Sequence, residues 1–355
     1  MTSAPSPSSM PDSLNARNVI VTGATGWLGQ RVIMALQGQS PDPAMPRIEA
    51  GSITALVAPG EPTAALLSQG VACVSGDLRD PATLAPLFQK AQDAVLLHLA
   101  GLIHPRLRTA DFMAVNYQGT MNVMAAAAKA GVARAVIMSS NSPIGYNRAP
   151  DQRFDETSPY QPYMGYGRSK QRMEQAVTAA YGDGQGPAIV MVRAPWFYGP
   201  GQPPRQTLFF EMIRDGKFPL LGTGQQQRSM GYVDNLAQGI MRAAMAADGA
   251  LKTYWLADER PYPMLEIIET VQSVLRDNFD IAVTDKILRL PGVIADGARL
   301  ADWGLQTIGL YHQKIHVLSE MNLTIACDIS RAKQELGYQP TISLRQGMRN
   351  SIHGA

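Results

Sequence analysis

Tyr166 and Lys170 stand four residues apart in the run Tyr-Gly-Arg-Ser-Lys. On a helix that spacing places two side chains one above the other on the same face. An ammonium group beside a phenol stabilises the phenolate, so Tyr166 is expected to titrate low enough to trade a proton with an alcohol or ketone oxygen. Arg168 and Ser169, between the pair, face elsewhere on the helix and read as solvent or packing residues. A Tyr-x-x-x-Lys spacing alone also arises by chance on solvent-facing helices. Its weight here comes from a glycine-rich turn far upstream.

Asn18–Thr22 is a short apolar run suited to a strand buried on both faces of a parallel sheet. It leads into Gly23-Ala24-Thr25-Gly26-Trp27-Leu28-Gly29 and then a helical stretch to about Leu36. Glycines there let backbone approach a pyrophosphate at the helix N-terminus, where free N–H groups favour negative charge. The first gap is one residue longer than in the standard dinucleotide fingerprint; the bland alternative is a plain strand-to-helix turn. Further strands are expected at Ile53–Val57, Val71–Ser75, Ala94–Leu99, Ala135–Ser139 and Ala188–Val192, with helical stretches near 81–91 and 109–130. Such alternation predicts an α/β fold, a Rossmann-like doubly wound parallel sheet with a smaller C-terminal substrate-binding region. Residues 18–194 would form mainly the nucleotide-binding domain. Residues 195–355 would be mainly the substrate-binding region, with some segments returning to the first domain.

With these motifs in order, the chain resembles the extended short-chain dehydrogenase/reductase family over nearly all its length. The resemblance implies NAD or NADP in a site built by Gly23, Thr25, Gly26, Trp27, Leu28 and Gly29. It puts Asp77-Leu78 at the adenine, Leu99-Ala100-Gly101 and Ser139 along the cofactor, and Asn116 on a helix steadying the site. Ser139-Ser140-Asn141-Ser142-Pro143-Ile144-Gly145 resembles the family's Ser-Ser-x-x-x-Tyr-Gly stretch. Counting back from Gly145 makes Ser140 catalytic, counting from Ile144 points to Asn141, and Ser142 remains a third reading; a hydroxyl that can donate to a carbonyl favours Ser140. Each residue also has a bland reading: Asp77 as a helix cap near Pro81, Asn116 as a surface residue, Ser139 and Ser140 as strand-end hydroxyls. In the implied mechanism Lys170 holds the nicotinamide ribose and lowers the pKa of Tyr166, which acts as acid or base while Ser140 bonds the same substrate oxygen. The choice between NAD and NADP stays open, because Ala58 takes the deciding position after the second strand and Glu61 is expected to fall too late.

Pro195-Trp196-Phe197-Tyr198-Gly199-Pro200-Gly201 resembles the family's Tyr-Gly-Pro segment, with Pro195 at the cofactor and Trp196 and Phe197 toward substrate. Thr207–Arg214 reads as an amphipathic helix. Arg228 precedes Tyr232-Val233-Asp234-Asn235, matching the family's Tyr-Val-Asp-Asp motif, and in nucleotide-sugar enzymes an arginine near there often grips a diphosphate. Asn141 and Ser142 complete the substrate-side set. Within 286–325, Val293, Ile294, Ala298, Leu300, Ala301, Leu305 and Ile308 suggest an amphipathic helix interrupted by Asp296, Arg299 and Asp302. A helix packed on its own domain is the simpler reading; a cover over an apolar substrate and peripheral membrane contact are the others. The resemblance favours the 3β-hydroxysteroid dehydrogenase-like branch, an oxidoreductase interconverting hydroxyl and ketone on a fairly apolar substrate. Nucleotide-sugar 4-epimerase or dehydratase, and a non-catalytic cofactor-binding regulator, are the alternatives.

Composition sets outer bounds. The 355 residues, 45% hydrophobic with net charge +2 and no basic run, exclude an obvious nucleic-acid binder. Cys73 and Cys327 match no metal or redox spacing, and His312 and His316 have no third ligand nearby, so no metal is expected. Reduced, scattered cysteines suit a cytoplasmic location. Residues 1–17, rich in Ser and Pro, read as a disordered tail, and no run is long and apolar enough for a transmembrane span. The family further implies a homodimer through helices 109–130 and 165–181.

Overall fold

The computed structural model describes residues 13–149, 151–246 and 249–353. Its centre is a sheet of β1 (Val19–Thr22), β2 (Ile53–Val57), β3 (Ala72–Ser75), β4 (Val95–His98), β5 (Arg134–Met138), β6 (Ala188–Arg193) and β7 (Lys252–Trp255). The strands lie parallel in the order β3-β2-β1-β4-β5-β6-β7. Every residue of β1 and β4 is buried, as strands covered on both faces require. The order reverses between β1 and β4, which opens a crevice beyond their carboxyl ends. That crevice positions the site.

The six strands expected from sequence are present with ends shifted by a residue or so. Strand β7 was not foreseen: Lys-Thr-Tyr-Trp is four residues long, and only its pairing with Val190–Arg193 makes it a strand. The expected tail also ends sooner. Ser13–Ala16 pairs in parallel with Arg47–Ala50, with Ala16 in the core and Leu14 packed against it, because the end of this segment is apolar enough to dock. The remainder of the expected tail, 1–12, lies outside the described residues.

Helix α1 (Trp27–Leu36) covers one sheet face, and α2 (residues 110–129) and α3 (Met164–Tyr181) cover the other. The predicted helix at 81–91 is a tighter 3₁₀ run, Pro81–Phe88, with Pro86 inside it. Helix α4 (Pro204–Arg214) belongs to the second lobe, whereas α5 (Val233–Ala246) returns to the α1 side of the sheet. Residues 325–338 return to that side too, bringing Ile325, Cys327, Leu336 and Tyr338 into the main core. The second lobe has its own core, including Phe209, Phe210, Ile213, Tyr232 and Ile267, built from α4, α6 (Met264–Phe279) and the Leu344–His353 helix. Helices α7 (Val293–Thr307) and α8 (Gln313–Glu320) pack on each other, and α7 packs on α3.

Candidate active site

The cofactor side begins at the turn after β1. Gly23 has φ +74°, and a Cβ there would lie 2.7 Å from Ala100 N, so the turn meets the Leu99–Gly101 segment only because this side chain is missing. A Cβ on Gly29 would overlap the Gly23 carbonyl. Gly26 caps α1 without a side-chain oxygen, leaving the first amides for an anion. Leu28 is buried beneath the loop, and Pro195 is buried after β6. Trp27 crosses to the second lobe: its Nε1 donates to Pro200 O at 2.8 Å, and its ring centroid lies 5.2 Å from that of Phe197.

Ala58 is exposed and apolar, but the chain does not run away from the loop. Glu61 N donates to Ala58 O at 3.1 Å, with Pro59 inside the turn and Gly60 at φ +85°. Pro then Gly is the sequence a type II turn asks for. It folds Glu61 back, and Thr25 Oγ1 donates to the Glu61 carboxylate. The turn thus brings Glu61 nearer the glycine loop than its place in the sequence suggests.

Asp77 forks onto Arg79, with Nε to Oδ1 at 3.0 Å and Nη2 to Oδ2 at 2.6 Å, which holds its carboxyl below the usual range. Asp80, not Asp77, caps the following 3₁₀ run, accepting from Ala82 N at 3.1 Å. Leu78 sits against Gly119, where a Cβ would come within 2.9 Å. Asn116 is fully buried rather than on the surface. It lies in a wide π-type turn, Met113–Gly119, that breaks α2. Its Oδ1 accepts from Leu102 N at 2.7 Å, and its Nδ2 donates to Leu102 O at 2.9 Å and Ser169 Oγ at 3.0 Å. Ser169 is therefore an internal brace, also donating to Tyr166 O at 2.7 Å, while Arg168 is exposed.

Tyr166 is third in α3 and its phenol is buried. Burial pushes it up to about 12, with a hydrogen bond to Ser140 pulling the other way and Glu320 adding to the rise. This corrects the expected lowering by Lys170. The lysine is buried as well: burial draws it down to about 8, and its Nζ donates to Met138 O at 2.8 Å, at the end of β5. In this state the phenol holds its proton and is set as an acid toward any oxygen it shares with Ser140. Ser140 sits between Asn141 Oδ1 at 3.3 Å and Ser142 Oγ at 3.4 Å, and accepts from Ser142 N at 3.3 Å. Ser140 is the hydroxyl the structure brings to Tyr166; Asn141 and Ser142 line the same strand end.

Ser139 is not open to a cofactor through its hydroxyl, which donates to Glu174 Oε1 at 2.5 Å. Glu174 was missed in the sequence, although it lies one helical turn beyond Lys170 on the same face. It also receives Tyr160 OH at 2.8 Å and two nitrogens of the buried Arg193.

On the substrate side, Trp196 is 38% exposed and meets Phe209 edge-on, while Phe209 and Phe210 are buried in the lobe core. Arg228 donates Nη2 to Glu320 O, and its Nε is buried with no partner among the described residues. Above Tyr166, Phe112 and Tyr311 form an aromatic cluster with it, the ring of Phe112 lying 5.8 Å from Tyr166 and 5.6 Å from Tyr311. His316 follows at 5.4 Å from Tyr311. Helix α7 is turned opposite to the expected way: Asp302 and Gln306 are buried, while Val293 (69%), Leu300 (69%) and Trp303 (57%) face solvent.

The residues fit a dinucleotide. Gly23 and Gly29 leave the cradle open, and a Cβ on Gly101 would stand 3.4 Å from both Lys170 Nζ and Asn116 Oδ1, where bulk would obstruct the ammonium. Among the described residues no helix is long and apolar enough to cross a membrane.

Residues 19–256 match the model of the NAD dependent epimerase/dehydratase family. An uncharacterized protein, y4nL, of Sinorhizobium fredii is 52% identical over 96% of this chain and 96% of its own. The 4-hydroxy-2-methyl-3-oxo-4-farnesyl-3,4-dihydroquinoline-1-oxide ketoreductase of Stigmatella aurantiaca is 30% identical over 68% of each chain. The crystal structure of dTDP-glucose 4,6-dehydratase from Bacillus anthracis, in complex with NAD, superposes with a TM-score of 0.72 at 18% identity, covering 96% of each chain.

Proposed function

The chain belongs to the NAD dependent epimerase/dehydratase family, and from that premise we propose that it is an NAD-dependent oxidoreductase interconverting a hydroxyl and a ketone on a fairly apolar substrate. The observation that carries this reading is the strand end beneath Tyr166. It offers Ser140, Asn141 and Ser142, hydroxyl and amide groups, with no acid among them. Such a floor manages the proton of one oxygen, whereas dehydration also needs a group to take a proton from carbon. The ketoreductase of Stigmatella aurantiaca supports the same choice.

Bound NAD supplies or accepts the hydride. The glycine loop would hold its pyrophosphate, and Lys170 and Asn116 would steady its ribose. Glu61, returned to Thr25, would accept a hydrogen bond from the adenosine ribose and repel a 2′-phosphate. Ser140 would donate to the substrate oxygen and Tyr166 would give or take its proton. Homodimerisation and a cytoplasmic setting belong to this reading, with the exposed Ala179 and Ala180 of α3 allowing close packing.

The test is NADH formation or consumption at 340 nm against hydroxy and keto compounds of steroid and quinoline type, with UDP- and dTDP-sugars alongside followed by chromatography of the products, since epimerisation returns its hydride and leaves no net NADH. Turnover is expected with the first group and lost by about 10²–10⁴-fold in Tyr166→Phe, with NAD binding kept. A second reading, nucleotide-sugar epimerisation, is favoured by the unpartnered Nε of Arg228. Turnover confined to nucleotide sugars, abolished in Arg228→Met, would establish it instead.

A further inference from the structure

Helix α3 carries Tyr166 in its first turn, where backbone N–H groups lack partners within the helix. Its N-cap residue, Tyr163, offers no capping side chain, and Met164 beside it takes φ +51°. The cap comes from elsewhere. Gln306 Oε1, 141 positions along the chain on α7, accepts from Gly165 N at 2.8 Å. A Cβ on Gly165 would lie 2.9 Å from that oxygen and 3.2 Å from the Phe112 ring, so the amide is reachable only because residue 165 is glycine.

The amide of Gln306 has a fixed orientation. Its Nε2 donates to Asp302 Oδ1 at 2.9 Å, and Asp302 Oδ2 lies 2.7 Å from His316 Nδ1. Asp302, Gln306 and His316 are all buried. Burial opposes a charge on His316, but the hydrogen bond to Asp302 and the nearby carboxylates outweigh it, and its pKa ends raised. The imidazole therefore keeps an N–H toward Asp302, Asp302 orients Gln306, and Gln306 closes the first turn of α3.

We propose that Gln306 is a positioning residue for Tyr166: with Asp302 and His316 it caps α3 from α7 and holds the phenol in register with Ser140. The proposal rests on Tyr166 as the proton donor. It makes the 286–325 segment a support for the helix that carries Tyr166 rather than only a cover over substrate. A frayed first turn would move Tyr166 and leave the glycine loop as it is.

The experiment uses the full chain with NAD bound and compares wild type with Gln306→Met, the double variant Asp302→Asn/Gln306→Glu, and Tyr166→Phe. Methionine matches glutamine in size but its thioether is only a weak acceptor for Gly165 N. The double variant restores the order of partners. The introduced asparagine accepts from His316 through its oxygen and donates through its nitrogen to the introduced carboxylate, which in turn accepts from Gly165 N. Gln306→Met is expected to speed amide hydrogen exchange about tenfold in the peptide spanning 163–167, leaving 170–181 unchanged. With whichever compound the 340 nm assay turns over, an alcohol with NAD or a ketone with NADH, kcat should fall about tenfold with KM and NAD affinity within twofold, and the double variant should recover most of both losses. Unchanged exchange at 163–167 overturns the proposal, as does a loss spread evenly over exchange, NAD affinity and melting temperature that the double variant does not rescue. Full activity in Tyr166→Phe would overturn the assignment of the acid itself. Loss in Tyr166→Phe with normal behaviour in Gln306→Met would overturn the positioning role alone.

Discussion

Arg193 and Glu174 meet as a two-point ion pair, Nε to Oε1 at 3.1 Å and Nη2 to Oε2 at 2.7 Å, with both side chains buried. Arg193 closes β6, and Glu174 lies on α3 one turn past Lys170. Ser139 and Tyr160 complete the carboxylate's shell, so the ends of β5 and β6 are tied to the helix that carries the phenol. Ser140, next after Ser139, inherits its place from this knot.

Removing one half of the knot should therefore be worse than removing both. Glu174→Ala leaves the Arg193 guanidinium buried and unpaired, a loss of about 3–5 kcal/mol. Adding Arg193→Met should return part of it, since Trp255 and Tyr160 already pack around that side chain. Denaturant unfolding of the two variants checks this, and a double variant less stable than Glu174→Ala would show that the pair does not act as a unit.

Glu61 should set cofactor choice. A charge-assisted hydrogen bond contributes about 1.5–3 kcal/mol, so Glu61→Ala is expected to weaken NAD by about tenfold or more. Glu61→Arg, which offers a cation to a 2′-phosphate, should reverse the preference toward NADP. Titration calorimetry with both dinucleotides measures the ratio without any substrate. An unchanged ratio in both variants would return the decision to another residue.

Lys170 should write a signature into the pH dependence of stability. Its folded pKa, about 8, lies below its ordinary 10.5, so between those values the unfolded chain binds more protons. Stability of the cofactor-free protein then rises with pH across that window, and the cost of charging the buried lysine is fully present below pH 8. Buried tyrosines act oppositely above pH 10, Tyr166 at about 12 among them. Between pH 8 and 9.5, wild type should gain about 1–2 kcal/mol relative to Lys170→Met in parallel urea titrations. Parallel curves would mean that the amine is solvated.

The motifs proposed for the cofactor were legible because their spacing is local. Gly23 to Gly29 and Tyr166 to Lys170 each lie within one turn or one helix, whereas Asn116 acts across the fold on Leu102 and Ser169. Partners separated by long stretches were not legible. Arg193 reaches Glu174 only because β6 lies beside β5, and Glu61 returns to Thr25 only because Pro59-Gly60 makes a tight turn. The pKa of Tyr166 was misread for a related reason. Spacing places an ammonium nearby, but burial of both groups outweighs it, and burial is a property of the assembled fold.

Helix α7 departs furthest from its sequence pattern. Its apolar periodicity argues for burying Val293 and Leu300, yet the face that docks on α3 carries Asp302 and Gln306. The polar face is preferred because it finds a complete set of partners: Gly165 N, His316 Nδ1 and each other. A buried polar chain whose members all have partners is stabilising, and one missing a member is not. Asp302→Ala strands the His316 N–H and the Gln306 amide together, a cost of about 2–4 kcal/mol. Trp303→Ser changes a larger and more apolar side chain one position away, but at 57% exposure it should move stability by no more than about 0.5 kcal/mol. Guanidinium unfolding of the two variants separates these expectations. If the tryptophan proves the costlier loss, the outward face of α7 is covered in solution and the polar chain is not what seats the helix.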